Sequence, residues 1–135
     1  INEAATVERG AAKLTIIGVD DYWTGVPRLP PEARTGNGAE TRLLLAHNPD
    51  YIGPLLDHTD YPVDLCLAGH THGGQIDAPL IGVLVYNIND RRFASGLYRH
   101  PRAPVYTTRG IGTVGLPLRV NCPPEVCLFS LVRQS

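Results

Sequence analysis

Short apolar runs, rather than a helical period, dominate the first seventy residues. Lys13-Leu-Thr-Ile-Ile-Gly-Val19 is continuous and β-branched, follows a turn at Glu8-Arg9-Gly10 and ends at the acidic pair Asp20-Asp21, which predicts a hairpin-like start with a buried strand. Arg42-Leu-Leu-Leu-Ala46 is the unbroken run that a doubly covered parallel strand needs, and it leads straight into His47. Asn48 suits a helix N-cap, Pro49 the first helical position and Asp50 the positive end of the helix, predicting a short helix over residues 50–57. After Pro62, a second run, Val63-Asp-Leu-Cys-Leu-Ala68, ends in Gly69-His70. Together these make a β-α-β unit of minimal length. Its parallel strands carry His47 and His70 to the carboxyl edge of the sheet, where α/β proteins place their ligands.

Residues 25–40 break this order with Pro27, Pro30, Pro31, Gly36 and Gly38 and no periodicity, so a long loop is expected, of the kind often kept for function. Beyond His72 the pattern predicts short strands near residues 81–86, 96–98, 105–108 and 126–132, and hence a mixed or antiparallel second part of the sheet. Composition agrees: 14 glycines and 12 prolines are about a fifth of the chain, against roughly 12% in average usage. The 135 residues allow one domain at most, and 43% hydrophobic with 19% charged residues is a globular balance. Twelve Lys and Arg against thirteen Asp and Glu give no electrostatic reason to expect nucleic-acid binding. The three cysteines form no CxxC pair; Cys66 reads as a core residue, while Cys122 and Cys127 are a weak candidate pair. No apolar stretch reaches the roughly 18 residues of a membrane span. The chain has no Met and opens on Ile1, so further sequence is expected upstream.

Three of the five histidines converge in this pattern. Gly69-His70-Thr71-His72-Gly73-Gly74-Gln75 follows a strand, and His47-Asn48-Pro49-Asp50 lies one β-α unit earlier. Neutral imidazole is the commonest protein ligand for zinc, iron and similar ions, and the flanking glycines leave the backbone open to close approach. A lone histidine in a loop would need no such reading; three delivered by one β-α-β unit favour a metal. Because imidazole must be neutral to ligate, affinity is expected to weaken as pH falls below about 6.5.

These two motifs resemble the last two metal motifs of the calcineurin-like metallophosphoesterases. The Gly-Gly-Gln after the second histidine is similar to a bacterial branch that includes envelope phosphoesterases and lipid A precursor pyrophosphatases. So is the tail, Tyr106-Thr-Thr-Arg-Gly-Ile-Gly112 followed by Pro117-Leu-Arg119 and Cys122-Pro-Pro-Glu125. The resemblance covers nearly the whole chain. It implies a hydrolase of phosphodiester, monoester or pyrophosphate bonds with two divalent ions (Mn, Fe, Zn or similar), in which His47 and His70 hold one ion and His72 the other. It implies a phosphorylated small-molecule or lipid-linked substrate, with cytoplasm or envelope, and membrane association of the full protein, left open.

The family also uses an Asp-x-His, a Gly-Asp-x-x-Asp with a metal-bridging Asp, and a Gly-Asn-His-Asp/Glu that supplies the general-acid histidine. None occurs here: Gly18-Val19-Asp20-Asp21 has the wrong order and Asp57-His58 lacks the intervening residue. The expectation is therefore an α/β fold forming the C-terminal half of a four-layer α-β-β-α sandwich with a mixed sheet. Residues 1–135 would be the C-terminal part of one domain, its N-terminal half an obligate partner. Such a half should expose a sheet edge and be marginal or self-associating. Arg109 and Gln75 are candidate substrate contacts, each weighed against a role in its own loop. Tyr22 and Trp23 would stack on substrate or close the core, Asp20 and Asp21 would cap the long loop or border the cleft, and His58 and His100 read as solvated. Two rival functions stay open, a non-catalytic scaffold that binds a protein partner and a single structural zinc site.

Overall fold

A computed structural model describes residues 1–33, 40–84 and 86–132. Strand β1 (Glu3–Arg9) turns at Gly10, whose φ of +59° suits glycine, and pairs antiparallel with β2 (Ala12–Gly18) from Glu3↔Gly18 to Arg9↔Ala12. Strand β3 (Thr41–Ala46) follows, then a single 3-10 turn at Pro49–Tyr51 and helix α1 (Ile52–His58), then β4 (Leu65–Ala68). A small ribbon of β5 (Asp77–Ala78) and β6 (Gly82–Val83) stands apart from the main sheet. Strands β7 (Gly96–Arg99) and β8 (Pro104–Thr107) complete a six-stranded sheet of order β1-β2-β3-β4-β8-β7. The four central strands run parallel and each edge strand antiparallel. The protein is thus α/β with a mixed sheet and few helices.

The parallel register sets Ile17, Leu44, Cys66 and Val105 abreast on four strands, all of them 0% exposed. Side chains alternate across a strand, so this row faces one side only. Ile52, Leu55 and Leu56 of α1, with Phe93 and Ala103, complete the buried cluster on that side. Each fully buried aliphatic contributes roughly 1.5–3 kcal/mol relative to exposure. Burial also pushes the Cys66 thiol up to about 12, as befits a core residue. With seven residues α1 is too short to persist alone; it stands because it packs and because it continues the 3-10 turn at Pro49–Tyr51, which Asn48 caps by accepting the Asp50 N–H on Oδ1 at 2.9 Å.

The opposite face carries Ile16, Leu43, Leu45, Leu65, Leu67 and Tyr106, all half-buried except Leu45, which is 39% exposed. Apolar area is therefore presented on this face, while β1 and β7 form the two edges of the sheet.

Two expected strands differ. Of residues 81–86 only Gly82–Val83 pairs, because Leu80 and Gly82 both adopt positive φ and turn the chain sharply; Val85 lies outside the described residues. Residues 126–132 form no ladder: their first part lies against β8, already paired on both sides by β4 and β7, and is held there through Tyr106 and Phe129, 5.1 Å between rings, while Ser130, Leu131 and Val132 border Val7, Lys13 and Leu14 of β1 and β2. The expected long loop falls partly at residues 34–39, outside the described part, and includes a 3-10 turn at Pro31–Ala33.

Candidate metal centre

Strands β3 and β4 end side by side, tied by the Gly69 N–H donating to the His47 carbonyl at 3.0 Å. His70 Nδ1 then lies 3.2 Å from His47 Nε2, the rings edge to face. His70 Nε2 lies 3.0 Å from the Asn87 carbonyl oxygen. A carbonyl only accepts, so the proton sits on Nε2 and the Nδ1 lone pair points at His47. His72 is the mirror case: Nδ1 is 3.1 Å from the Gly112 carbonyl, which leaves Nε2 as the lone-pair nitrogen. Two nitrogens bound tetrahedrally to one ion at 2.0–2.1 Å would stand about 3.3 Å apart. The His47–His70 separation fits that spacing.

The loop that carries these rings is strained. His70, His72, Gly73, Gly74 and Gln75 all have positive φ, between +51° and +79°, a region that disfavours side chains and concentrates at functional sites. At Gly74 a Cβ would lie 2.2 Å from a Val83 methyl, and at Gly73 it would lie 2.5 Å from Arg109; both positions are closed to larger residues. Thr71 Oγ1 accepts the Gly73 N–H and steadies the turn.

Asn87 clamps His70 from outside. Its side-chain Nδ2 donates to the His70 carbonyl at 2.8 Å while its own carbonyl takes the ring proton. Asp50 holds this segment in turn: its carboxylate accepts from the Asn89 N–H, the Asn89 amide and the Asp90 N–H at 2.9–3.0 Å. The sequence reading explained Asp50 as a first-turn residue and missed Asn87, since nothing local in Asn87-Ile88-Asn89-Asp90 signals a partner seventeen residues back.

Asp21 caps its own turn, as one of its two expected roles. Oδ1 accepts from the Trp23 and Thr24 amides and the Thr24 hydroxyl at 2.8–2.9 Å. Its second oxygen, Oδ2, is buried without a hydrogen-bond partner. A carboxylate oxygen of Asp21 and a ring nitrogen from each of His47 and His70 lie within 4.8 Å of one another, a grouping that could hold a metal ion. Burial would raise the Asp21 pKa, but the bonds from Thr24 and Trp23 and the nearby His47 hold it below the usual range. Burial, more than any other cause, lowers the His70 pKa below 6.5; His47 adds to this and the Asn87 bond, Asp21 and Asp50 oppose it. The neutral form of His70 is favoured.

The other candidates are placed as follows. His72 does not join the group formed by Asp21, His47 and His70. Gln75 is 7% exposed and turns its amide inward: Nε2 donates to the Val114 and Leu116 carbonyls at 3.0 Å, and Oε1 accepts the Val114 N–H. Arg109 donates through Nε and Nη2 to Glu125 Oε2 at 2.8 and 2.6 Å. Arg119 gathers the carbonyls of His72, Arg109, Gly110, Gly112 and Cys122. The Cys122 thiol donates to the His72 carbonyl at 3.1 Å and the Cys127 thiol to Glu125 at 2.9 Å; both are free. Trp23 meets the His70 ring edge-on at 4.4 Å while 54% exposed, and Tyr22 is 44% exposed, so neither closes the core. His58 is exposed, but His100 is not solvated: its side chain is 6% exposed and its Nε2 lies 3.0 Å from Asp57 Oδ1. Among the described residues no helix is long and apolar enough to cross a membrane.

His47 borders an open concavity lined also by Gly18, Val19, Leu45, Leu67 and Thr108, so a ligand at the histidines would be reachable from the uncovered sheet face. Comparison with known proteins agrees with the motif reading. The chain is 38% identical over 131 residues to the phosphodiesterase YaeI of Escherichia coli, covering 97% of this chain and 46% of that protein. It is 36% identical over 120 residues to the uncharacterized metallophosphoesterase YkuE of Bacillus subtilis, covering 89% and 41%. It is 32% identical over 137 residues to the UDP-2,3-diacylglucosamine pyrophosphatase LpxG of Chlamydia trachomatis, covering 95% and 39%. The chain spans less than half the length of these curated relatives. No family model and no solved structure matches. Matched along nearly its whole length by proteins of that name, the chain belongs to the metallophosphoesterases.

Proposed function

We propose that the protein is a metal-dependent phosphoester hydrolase and that this chain supplies His47, His70 and His72 to a two-metal centre, His47 and His70 on one ion and His72 on the other. The observation that carries this reading is the fixed tautomer of His70 and His72. The Asn87 and Gly112 carbonyls hold protons on His70 Nε2 and His72 Nδ1, so the opposite nitrogens are lone pairs before any ion arrives. Such ions supply a hydroxide nucleophile and polarise the phosphoryl oxygens. The chain's own residues orient His70 and His72 through these carbonyls, and burial favours the neutral form of His70.

On the same reading, residues 1–135 are the C-terminal part of a single domain, and the sheet face around Leu45 and Leu67 packs on a second sheet of a four-layer α-β-β-α sandwich. The rest of that domain would bring the general-acid histidine and the bridging carboxylate. Arg109, with Nε and Nη2 engaged by Glu125, would offer a phosphate its remaining Nη1, and Gln75 would shape the site from behind through residues 114–116. A phosphorylated small molecule or a lipid-linked pyrophosphate is the proposed substrate class, the latter supported by the name of the Chlamydia relative.

The test uses the full-length protein with a chromogenic phosphodiester. His70→Ala and His72→Ala are each expected to lower kcat/KM by at least about a hundredfold, the order found when an electrostatic stabiliser of a transition state is removed, with bound metal falling in parallel. Activity that survives both substitutions together overturns the reading.

A further inference from the structure

Three consecutive parallel strands end in a row, and each delivers one polar side chain just past its carboxyl end. Strand β2 leads to Asp21, β3 to His47 and β4 to His70, and the strand ends are held level by the Val19 N–H on the Leu45 carbonyl at 3.1 Å and the Gly69 N–H on the His47 carbonyl at 3.0 Å. We propose that Asp21 Oδ2 is a third metal ligand, so that this chain alone carries a two-histidine, one-carboxylate site. This rests on the metal-centre reading above and adds to it a carboxylate that lies outside the metal motifs singled out in the sequence.

The two oxygens of Asp21 divide the work. Oδ1 receives three donors from Trp23 and Thr24 and fixes the carboxylate plane. Oδ2 receives none although it is buried. A buried carboxylate oxygen without a donor is costly and calls for a partner. The chemistry beside it supplies one: a carboxylate oxygen of Asp21 and a ring nitrogen of each histidine lie within 4.8 Å of one another, and His70 Nδ1 faces His47 Nε2 at 3.2 Å. A divalent cation at that point satisfies the carboxylate oxygen and both nitrogens at once. Two neutral imidazoles and one carboxylate are a donor set suited to Zn, Fe or Mn, and three ligands from this chain leave positions for the bridging carboxylate, water or a phosphoryl oxygen. Trp23, edge-on against His70 at 4.4 Å, covers one side of the site.

The experiment measures Co(II) affinity and the Co(II) visible spectrum of the full-length protein as wild type, Asp21→Asn, Asp21→Ser and His70→Ala, with the melting temperature of each metal-free form. Asparagine keeps an oxygen to accept from Trp23 and Thr24, and serine keeps a shorter one, so both variants are expected to hold the metal-free melting temperature. Each is expected to bind Co(II) at least about ten- to a hundredfold more weakly, since even outer-shell partners of a metal cost that much, and to shift the ligand-field bands. Unchanged affinity and spectrum in the Asp21 variants, with metal lost in His70→Ala, overturns the ligand and leaves the metal centre standing. Weaker binding with an unchanged spectrum also overturns it, by making Asp21 a distant charge. Unfolding of both Asp21 variants without metal overturns it as well, by assigning Asp21 to the turn. Metal retained in His70→Ala removes the centre itself.

Discussion

Glu125 shows how much one carboxylate can organise. Cys127 Sγ and the Tyr106 hydroxyl donate to Oε1 at 2.9 and 2.7 Å, and Arg109 donates twice to Oε2. These donors, Cys127 first, then Tyr106 and, past the opposing effect of burial, Arg109, draw the Glu125 pKa down from 4.5 to about 2. A carboxyl depressed in the folded state stabilises above its unfolded value, and that contribution is lost as pH falls from about 4.5 to about 2. In urea titrations Glu125→Gln is therefore expected to be less stable than wild type at pH 7, the gap closing towards pH 2. A gap of constant size across that window would place its origin elsewhere than ionisation. The residue scale is also where the sequence was read best and worst. His47, His70 and His72 stand out because strand ends and glycines flank them. Asn87 and the free oxygen of Asp21 do not, because their roles depend on contacts 17 residues or more along the chain and on which lone pair is left over.

Among the elements, the β-α-β unit was legible because its apolar runs are unbroken and its helix carries its own start signals, Asn48, Pro49 and Asp50. The strands expected at 81–86 and 126–132 were not, since apolar content alone does not say whether a neighbouring strand has an edge to offer. The segment around Asn87, Ile88 and Asn89 has no regular structure and is positioned by Asp50 from the start of the helical region. That makes Asp50 a link between the packing of α1 and the orientation of His70. Asp50→Ala should cost about 1.5–3 kcal/mol, the range for hydrogen bonds to a charged group, in thermal or urea denaturation. Metal affinity should fall with it, by about tenfold, as the clamp on His70 loosens. Lost stability with full metal affinity would separate the two roles.

The molecule as a whole is two-sided: one sheet face is closed by α1 and the other presents half-buried Leu43, Leu65 and Leu67 beside exposed Leu45. An apolar face of this kind drives association. In sedimentation of the 135-residue chain by itself, Leu45→Lys is expected to shift the distribution towards monomer, and a wild-type chain already monomeric at high concentration would contradict the reading of that face. The arrangement at Arg119 has a further consequence, in time rather than in shape. One guanidinium joins carbonyls of the His72 turn to those of residues 109–112 and 122, and Gln75 joins the same turn to residues 114 and 116. Neither loop can open while the other stays shut, so their amides should share one exchange lifetime. A substitution at Arg119, remote in sequence from the histidines, would then be felt as a shorter residence of whatever His72 holds.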